Sequence, residues 1–232
     1  MKTFNLLLLS MLGLVVTSCQ KQDPEQAQNG TPVAVRVKVS NTATIFRMAL
    51  DAGVTAKTEA VNLQWTAAKA SANLLKFEAE KSSSEVEFKS KVQQTIDLFN
   101  VNASLGTVSI QAATYDEVEL KAMLSPIGQE PALQLTGTLT SASGSTQVQF
   151  TANEAIEVKG EKKNVTITGA ALQSADIPLN FSMIVKGMTA VDFDNAARTN
   201  GMIIISASSN PALYNKMVAN LRSLKEESEF HH

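Results

Sequence analysis

The sequence predicts a mainly β protein, an antiparallel β-sandwich with two short helices near the C-terminus. Apolar and polar residues alternate with period two in many short runs, which is the pattern of strands buried on one face. Turn residues separate these runs about every eight to twelve residues, a spacing typical of sandwiches. Before the last quarter of the chain no strand–helix–strand alternation is visible, which argues against a parallel sheet.

The first residues, MKTFNLLLLSMLGLVVTSC, predict export and do not belong to the folded domain. Lys2 precedes an apolar run over 4–16 that is too short to span a bilayer, as in a secretory signal. The junction Val16–Cys19 resembles the bacterial lipobox, in which the cysteine becomes the lipid-modified first residue after cleavage. The alternative is a plain signal peptide with an incidental cysteine. However, Cys19 is the only cysteine in the chain and lies where a lipobox requires it.

Cleavage at the lipobox would remove residues 1–18 as a lipoprotein signal peptide and leave Cys19 as a lipidated N-terminus. No Asp directly follows the cysteine, so we expect an outer-membrane lipoprotein on the periplasmic or the surface-exposed face. Residues 19–31 are polar and predict a flexible tether. The β-sandwich domain is expected over residues 32–225, followed by a frayed tail over residues 226–232.

Period-two runs define the strands of the predicted domain. Residues 33–39 alternate valine with small or polar residues and predict the first strand. Residues 75–79 and 86–88 face each other across a turn at 81–84, with Lys and Glu on the opposite face, so they predict a hairpin with one wet side. The further runs that predict strands are 45–48, 61–67, 92–99, 105–112, 118–124, 133–139, 148–152, 156–158, 165–167 and 202–205.

The last quarter of the chain has a different pattern. The run 179–185 is long and mostly apolar, and it predicts a central strand that is covered on both faces. Thr189 and Asp192 have the spacing of a capping box and predict a short helix. Asn210 and Pro211 open a second predicted helix, which has apolar residues along one face.

The composition argues against catalysis that relies on histidine or cysteine. The only histidines, His231 and His232, end the chain, and the only thiol is expected to carry lipid. Nucleophilic triads, thiol enzymes and structural zinc are therefore not predicted. Counting does not exclude a catalytic carboxylate pair, but aromatic platforms are scarce, at 5% of residues. We predict no catalytic residue, no metal ligand and no cofactor.

Charge restricts the possible partners. The formal net charge is −2, and acidic and basic residues are interspersed along the chain. No basic stripe is present to hold nucleic acid, and no polybasic patch is present to hold anionic lipid. Membrane attachment is therefore expected through the N-terminal lipid alone.

Three features have both a structural and a functional interpretation. Trp65 shares its parity with Val61 and Leu63, which predicts a core position, although an exposed Trp would suit a sugar-stacking platform. Tyr115 could line a binding loop, but its place just before a strand favours a corner tyrosine whose hydroxyl bonds to backbone. The cluster Asp192–Asn195 fits a solvated first turn of a helix better than a calcium loop, which needs more oxygens and a glycine.

The run Leu105–Leu120, LGTVSIQAATYDEVEL, together with the lipobox resembles a segment of β-sandwich lipoproteins common in the Bacteroidetes. In those proteins a strand ends in a small-residue turn, followed by Thr-Tyr and an alternating strand, and Ile96–Phe99 matches their preceding segment. This chain has Ala113 where that family usually has Gly. The resemblance covers residues 32–160. It implies a transthyretin-like or Ig-like sandwich with no established activity and no catalytic residues to carry over.

The chain also resembles the fimbrillin-type pilins of the same bacteria, which are lipoprotein precursors built from transthyretin-like sandwiches. Trimming after a basic residue near their N-terminus frees a groove for a partner's strand. By this resemblance Arg36 or Arg47, in or beside the first strands, would be the processing site. The alternative is that each is an ordinary exposed arginine on a strand.

The sequence thus favours a membrane-anchored, non-catalytic binding module for a glycan or a protein. Loops at the ends of the sandwich are the expected recognition surface. The alternative function is a fimbrillin-type pilus or adhesin subunit that assembles by strand exchange. An enzyme is not expected.

Overall fold

The computed structural model describes residues 30–47, 60–82, 84–142, 144–168, 174–224 and 226–231. The predicted signal peptide, Cys19 and the tether before residue 30 lie outside the described residues. The elements in chain order are β1 (Thr31–Ser40), β2 (Ala43–Arg47), β3 (Ala60–Lys81), β4 (Ser84–Asp97), β5 (Gly106–Ile110), β6 (Ala113–Leu124), β7 (Leu133–Ser141), β8 (Gly144–Ala152), β9 (Ile156–Ile167), β10 (Ser174–Asn180), α1 (Phe181–Ile184), α2 (Ala190–Asp194), β11 (Arg198–Thr199), β12 (Met202–Ile205), α3 (Pro211–Ser223), β13 (Glu226–Glu227) and β14 (Glu229–His231).

The predicted mainly β fold is confirmed, and the strands form two mixed sheets. The smaller sheet has the order β14-β10-β1-β5; the larger has the order β11-β12-β8-β7-β3-β6-β9-β13, with β2 and β4 also paired to β3. Most pairings are antiparallel, but β1 with β10, β8 with β12 and β9 with β13 are parallel. The prediction that all strands are antiparallel is therefore wrong for these three pairs. A period-two pattern shows which face a residue occupies and not the direction of the neighbouring strand.

The described part of the last quarter contains three helices, one more than predicted. The apolar run 179–185 is not a single strand, because β10 ends at Asn180, whose side-chain oxygen accepts from Ser182 N at 3.1 Å and caps α1. A short buried helix and a buried strand are equally apolar, so periodicity does not separate them. The predicted capping box is confirmed, with Asp192 Oδ2 accepting from Thr189 N at 2.7 Å. The second predicted helix is α3.

The 22-residue strand β3 is the spine of the larger sheet. Its first half pairs with β2 on one edge and β7 on the other, and its second half pairs with β4 and β6. Two register shifts mark bulges along β3, the first of them directly after Trp65. The predicted hairpin is confirmed, because β3 and β4 pair up to their connecting turn with Phe77 opposite Phe88.

One hydrophobic core includes residues of both sheets and of all three helices. Trp65 is 1% exposed, so its predicted core position is confirmed. Tyr115 is a corner tyrosine, as predicted. Its ring is buried 5.8 Å from that of Phe77, and its hydroxyl donates to the Gln111 carbonyl at 2.9 Å.

The last described residues are paired, in contrast to the predicted frayed tail. β13 pairs with β9 of the larger sheet, and β14 pairs with β10 of the smaller sheet. Ser228 lies between these two strands, fully buried, and its N–H donates to Glu161 O at 2.8 Å. Strands of two or three residues are too short to show a period, so the sequence pattern does not reveal them.

The chain enters the fold at one end of the domain. Thr31 is opposite Ile110, and β6 begins at Ala113, just beyond that strand. The β3–β4 turn lies at the same end, because Ser82 N donates to Asp116 Oδ2 at 2.7 Å. The β7–β8 turn lies at the opposite end, where β3 begins.

Candidate binding face

Nine uncharged polar side chains form a regular array on the outer surface of the larger sheet, which we call the neutral face. Three come from each of β3, β7 and β8, where they alternate with residues that point into the core. All nine are exposed or half-buried. The neutral face consists of Asn62, Gln64, Thr66, Thr136, Thr138, Thr140, Ser145, Gln147 and Gln149.

The strand register aligns the neutral face in three rows that cross the strands. Two rows are in full register, Asn62/Thr140/Ser145 and Gln64/Thr138/Gln147. In the third, Thr136 is opposite Gln149 on one side and Ala67 on the other, and Thr66 lies next to Ala67 in the bulge. Thr66 belongs to the first bulge of β3, and its hydroxyl donates to Thr136 O at 3.3 Å. Neighbours within a row are about 4.8 Å apart, and successive rows are about 6.8 Å apart along the strands.

Hydrogen bonds hold the middle row in place. Gln147 Nε2 donates to Thr138 Oγ1 at 3.1 Å. Gln64 Nε2 donates to Thr42 Oγ1 and to Trp65 O, both at 3.0 Å. A primary amide has two N–H donors and a carbonyl acceptor. Of the two oriented amides, Gln147 therefore keeps one free N–H donor and its acceptor, and Gln64 presents its acceptor alone.

The helices lie on the other side of this half of the sheet. Phe150, next to Gln149 in β8, points inward, and its ring lies 5.8 Å from that of Tyr214 in α3. Phe46 of β2 contacts Phe193 of α2, with ring centroids 5.1 Å apart. Packing against the helices therefore closes the inner side, while the neutral face is directed outward.

The other half of the same outer surface carries charges, which we call the charged lattice. Across β4, β3, β6 and β9, one row of lysines lies beside one row of glutamates: Lys89, Lys76, Lys121 and Lys159, then Glu87, Glu78, Glu119 and Glu161. Like charges directly opposite each other repel. Ion pairs between the rows offset this repulsion, and Glu119 accepts from both Lys121 and Lys159 at 2.6 Å.

Glu119 lies at the centre of the charged lattice. Partial burial raises the pKa of Glu119, but hydrogen bonds from Lys121 and Lys159 bring that pKa below its ordinary value. Burial lowers the pKa of Lys121, but its hydrogen bonds to Glu119 and Glu78 hold that pKa above its ordinary value. Glu119 and Lys121 are therefore ionised at neutral pH, and their charges are paired within the protein.

The residues predicted as sites do not gather at the neutral face. Cys19 lies outside the described residues. Arg47 is the last residue of β2, and its side chain is also outside what is described. Arg36 lies in β1, where its Nε forms an ion pair with Asp176 Oδ1 at 2.8 Å and its side chain is 25% exposed.

The sequence does carry a signal for the neutral face, which the motif patterns above miss. From Pro131 to Ala152 the chain has no charged residue, and Thr, Gln and Ser recur at alternate positions. Such a run predicts strands with one uncharged polar face. The neutral face contains no charged, histidine or aromatic cluster, which are the patterns that usually indicate a site.

Comparison with known proteins identifies no relative: no protein-family model, no curated protein and no solved structure matches the chain. Within the described residues, no group of three or more His, Cys, Asp or Glu could hold a metal ion. No helix in that same part of the chain has the length and apolar character needed to cross a membrane.

Proposed function

We propose that the protein is an exported, membrane-anchored outer-membrane lipoprotein whose β-sandwich domain, transthyretin-like or Ig-like, is a non-catalytic binding module for a glycan or a protein. The observation that supports this proposal is the neutral face. Binding sites orient a polar ligand through a small number of placed hydrogen-bonding groups. Here amides and hydroxyls are aligned in register on an exposed sheet. The proposed recognition surface is thus a sheet face and not the loops at its ends.

The chemistry of the neutral face favours binding over catalysis. General acid–base catalysis uses groups whose pKa lies near the working pH. A hydroxyl becomes a nucleophile only beside a base. The nine side chains of the neutral face include no such acid or base. A surface without charge also suits a ligand without charge, because it offers no counter-ion to a charged one.

The position of the neutral face suits a protein that is tethered at its N-terminus. Thr31 lies at the end of the domain that carries the β3–β4 turn. Gln64 lies toward the other end of β3, and extended strand on the order of 50 Å long separates it from that turn. With Cys19 lipidated, the neutral face would lie far from the attachment point and remain accessible to a partner.

A glycan and protein array, probed with the mature chain in detergent, tests the binding module. Gln147→Ala and Gln149→Ala each remove an amide from the neutral face without touching the core. Gln94→Ala is the matched control, because Gln94 is an exposed glutamine on β4, outside the neutral face. We expect the array to identify a ligand that binds Gln147→Ala more weakly than the parent chain and binds Gln94→Ala as well as the parent chain. If Gln147→Ala and Gln149→Ala both bind the ligand as strongly as the parent chain, the neutral face is not its binding site.

Mass spectrometry of the native protein tests the proposed anchor separately. We expect an acylated N-terminus at Cys19, because the lipobox-like junction ends there. An unmodified N-terminus, or one at another residue, would rule the anchor out.

A second function, assembly by strand exchange, is favoured by the position of β1. It is the first described strand, and it lies between β5, which is antiparallel to it, and β10, which is parallel. Removal of the residues up to Arg36 would leave β5 without its partner and open a groove that a strand from another copy could fill. Arg36 is ion-paired to Asp176 of the neighbouring β10, so β1 would have to leave the sheet before a protease could cut there.

Limited trypsin digestion followed by size-exclusion chromatography distinguishes the two functions. A ladder of oligomers after a single cut at Arg36 or Arg47 would favour the pilus or adhesin subunit. An unassembled core that keeps β1 would favour the binding module.

A further inference from the structure

The register of the neutral face points to one ligand geometry. Resting on the proposed binding function, we propose that the neutral face binds an extended, uncharged polysaccharide that runs across β3, β7 and β8, with one sugar residue over each strand. The middle row, Gln64/Thr138/Gln147, is assigned as the main contact.

The spacing of the rows supports this direction. Adjacent strands are about 4.8 Å apart, which is close to the length of one pyranose in an extended, β-linked chain. Along a strand, outward side chains recur only every 6.8 Å or so, which does not match a single sugar. A polysaccharide that crosses the strands therefore meets one outward polar side chain at each sugar, whereas one that follows a strand does not.

The middle row has the chemistry that such a chain needs. Gln64 and Gln147 place an amide on each side of the Thr138 hydroxyl. Gln147 keeps one N–H to donate to a sugar hydroxyl and a carbonyl oxygen to accept from one, whereas Gln64, whose two N–H groups are both used, offers its carbonyl oxygen as an acceptor. The bonds from Gln147 to Thr138 and from Gln64 to Thr42 fix these amides before the ligand arrives. Binding therefore orders few side chains.

The middle row is also open at the β2 edge. Ala43 is the residue of β2 opposite Gln64, and it is exposed. Its methyl group leaves room for a chain to continue past the edge of the row. In the first row the corresponding residue is Ile45, a large apolar side chain that is 66% exposed. The middle row therefore suits an internal segment of a polymer.

The makeup of the neutral face disfavours other partners. Protein interfaces are enriched in aromatic residues, Met and Arg, and none of these is among the nine side chains. An anionic polymer would find no cation on these three rows. Without an aromatic ring for stacking, one sugar gains only a few hydrogen bonds, which do not offset the cost of association. Several sugars of one polysaccharide together form enough hydrogen bonds to offset that cost.

Isothermal titration of the mature chain in detergent with neutral β-linked oligosaccharides of one to six sugars tests this geometry. Gluco-, xylo- and manno-oligosaccharides are the probes. We expect no measurable binding of the monosaccharide, a steep rise in affinity up to three sugars, and a plateau beyond three. Each hydrogen bond gained is worth roughly two- to tenfold in affinity.

Single substitutions test whether the bound polysaccharide runs across the strands or along them. Gln147 lies in the middle row, while Thr140 shares a strand, but not a row, with Thr138. We expect Gln147→Ala to weaken trisaccharide binding roughly two- to tenfold and Thr140→Ala to weaken it less than Gln147→Ala does. Gln94→Ala, on β4 outside the neutral face, is the control for general damage. The reverse order of effects between Gln147→Ala and Thr140→Ala would overturn the cross-strand geometry.

The remaining outcomes separate this inference from the proposed function. Length-independent binding of a neutral glycan, or affinity that keeps rising to six sugars, overturns one sugar per strand and leaves the binding module standing. Binding of a protein alone, with loss in Gln147→Ala, overturns the polysaccharide in the same way. If neither any glycan nor any protein binds in a manner sensitive to neutral-face substitutions, both proposals fail.

Discussion

Gly137 lies directly against the indole of Trp65, and the two residues are opposite each other in the register of β3 and β7. A Cβ atom on residue 137 would lie 2.9 Å from Trp65 Cε3 and 2.5 Å from the carbonyl oxygen of Gln64. Both distances are shorter than side chains tolerate. The absence of a side chain at this position therefore allows the Trp to pack under β7.

Gly137→Ala should lower the free energy of unfolding by about 1–3 kcal/mol, because the added methyl group overpacks the Trp65 site. Thr136→Ala, at the next residue but on the outer face, is the control and should change stability by less than about 0.5 kcal/mol. Urea denaturation of the two variants measures the difference. Equal stability of Gly137→Ala and the parent chain would contradict the contact.

Trp65→Ala should cost about 3–5 kcal/mol, because it leaves a cavity in a site that is 1% exposed. In the parent chain, Trp65 emission should be blue-shifted and poorly quenched by iodide. Trp65 is the only tryptophan in the chain, so the signal has one source. A red-shifted, fully quenched emission would show an exposed ring and contradict the core position.

Tyr115→Phe removes the bond from the Tyr115 hydroxyl to the Gln111 carbonyl but keeps the ring against Phe77. We expect a loss of about 0.5–1.5 kcal/mol in unfolding free energy. Burial raises the pKa of Tyr115, so its phenolate absorbance should appear above the ordinary range for tyrosine. Titration of the folded parent chain against Tyr115→Phe isolates this signal. An ordinary titration would argue against burial of the hydroxyl.

The charged lattice predicts a loss of stability in acid. The pKa of Glu119 is lower in the folded state than its ordinary value. Its contribution is therefore complete above the unfolded-state pKa and disappears as pH falls through the folded-state pKa. Between neutral pH and that range, the parent chain should lose more unfolding free energy than Glu119→Gln does. Urea denaturation at a series of pH values measures both.

Glu157→Gln is the control for this pH series, because Glu157 is an exposed glutamate of β9. Its loss of stability in acid should match that of the parent chain. If Glu119→Gln also matches the parent chain, Glu119 does not contribute to the acid sensitivity.

The sequence predicts which residues point into the core better than it predicts which strands pair with each other. Alternation places Trp65 and Phe77 in the core correctly, and the position of Tyr115 identifies it as a corner residue. The parallel pairing of Val35 with Ala175 is not predictable in this way, since it joins strands far apart in the chain. The helix that begins at Phe181 is missed because its apolar residues have the same composition as a buried strand.

The candidate site escapes prediction for a different reason. Sequence patterns for function rest on residues with special chemistry, such as histidine, cysteine, paired carboxylates or aromatic rings. The neutral face is built from Gln, Thr, Asn and Ser, each unremarkable alone. Its regularity exists only once Gln64, Thr138 and Gln147 are brought side by side by strand pairing.

The smaller sheet takes its strands from the beginning, the middle and the end of the described chain. β1 is synthesised long before β10, so Ala34 has no parallel partner until Ser174 has been made. Pairings this distant in sequence form slowly, and a strand edge left open in the meantime invites aggregation. We therefore expect the smaller sheet to form late. Until β10 is in place, the unpaired backbone edge of β1 is where the folding chain is most open to aggregation.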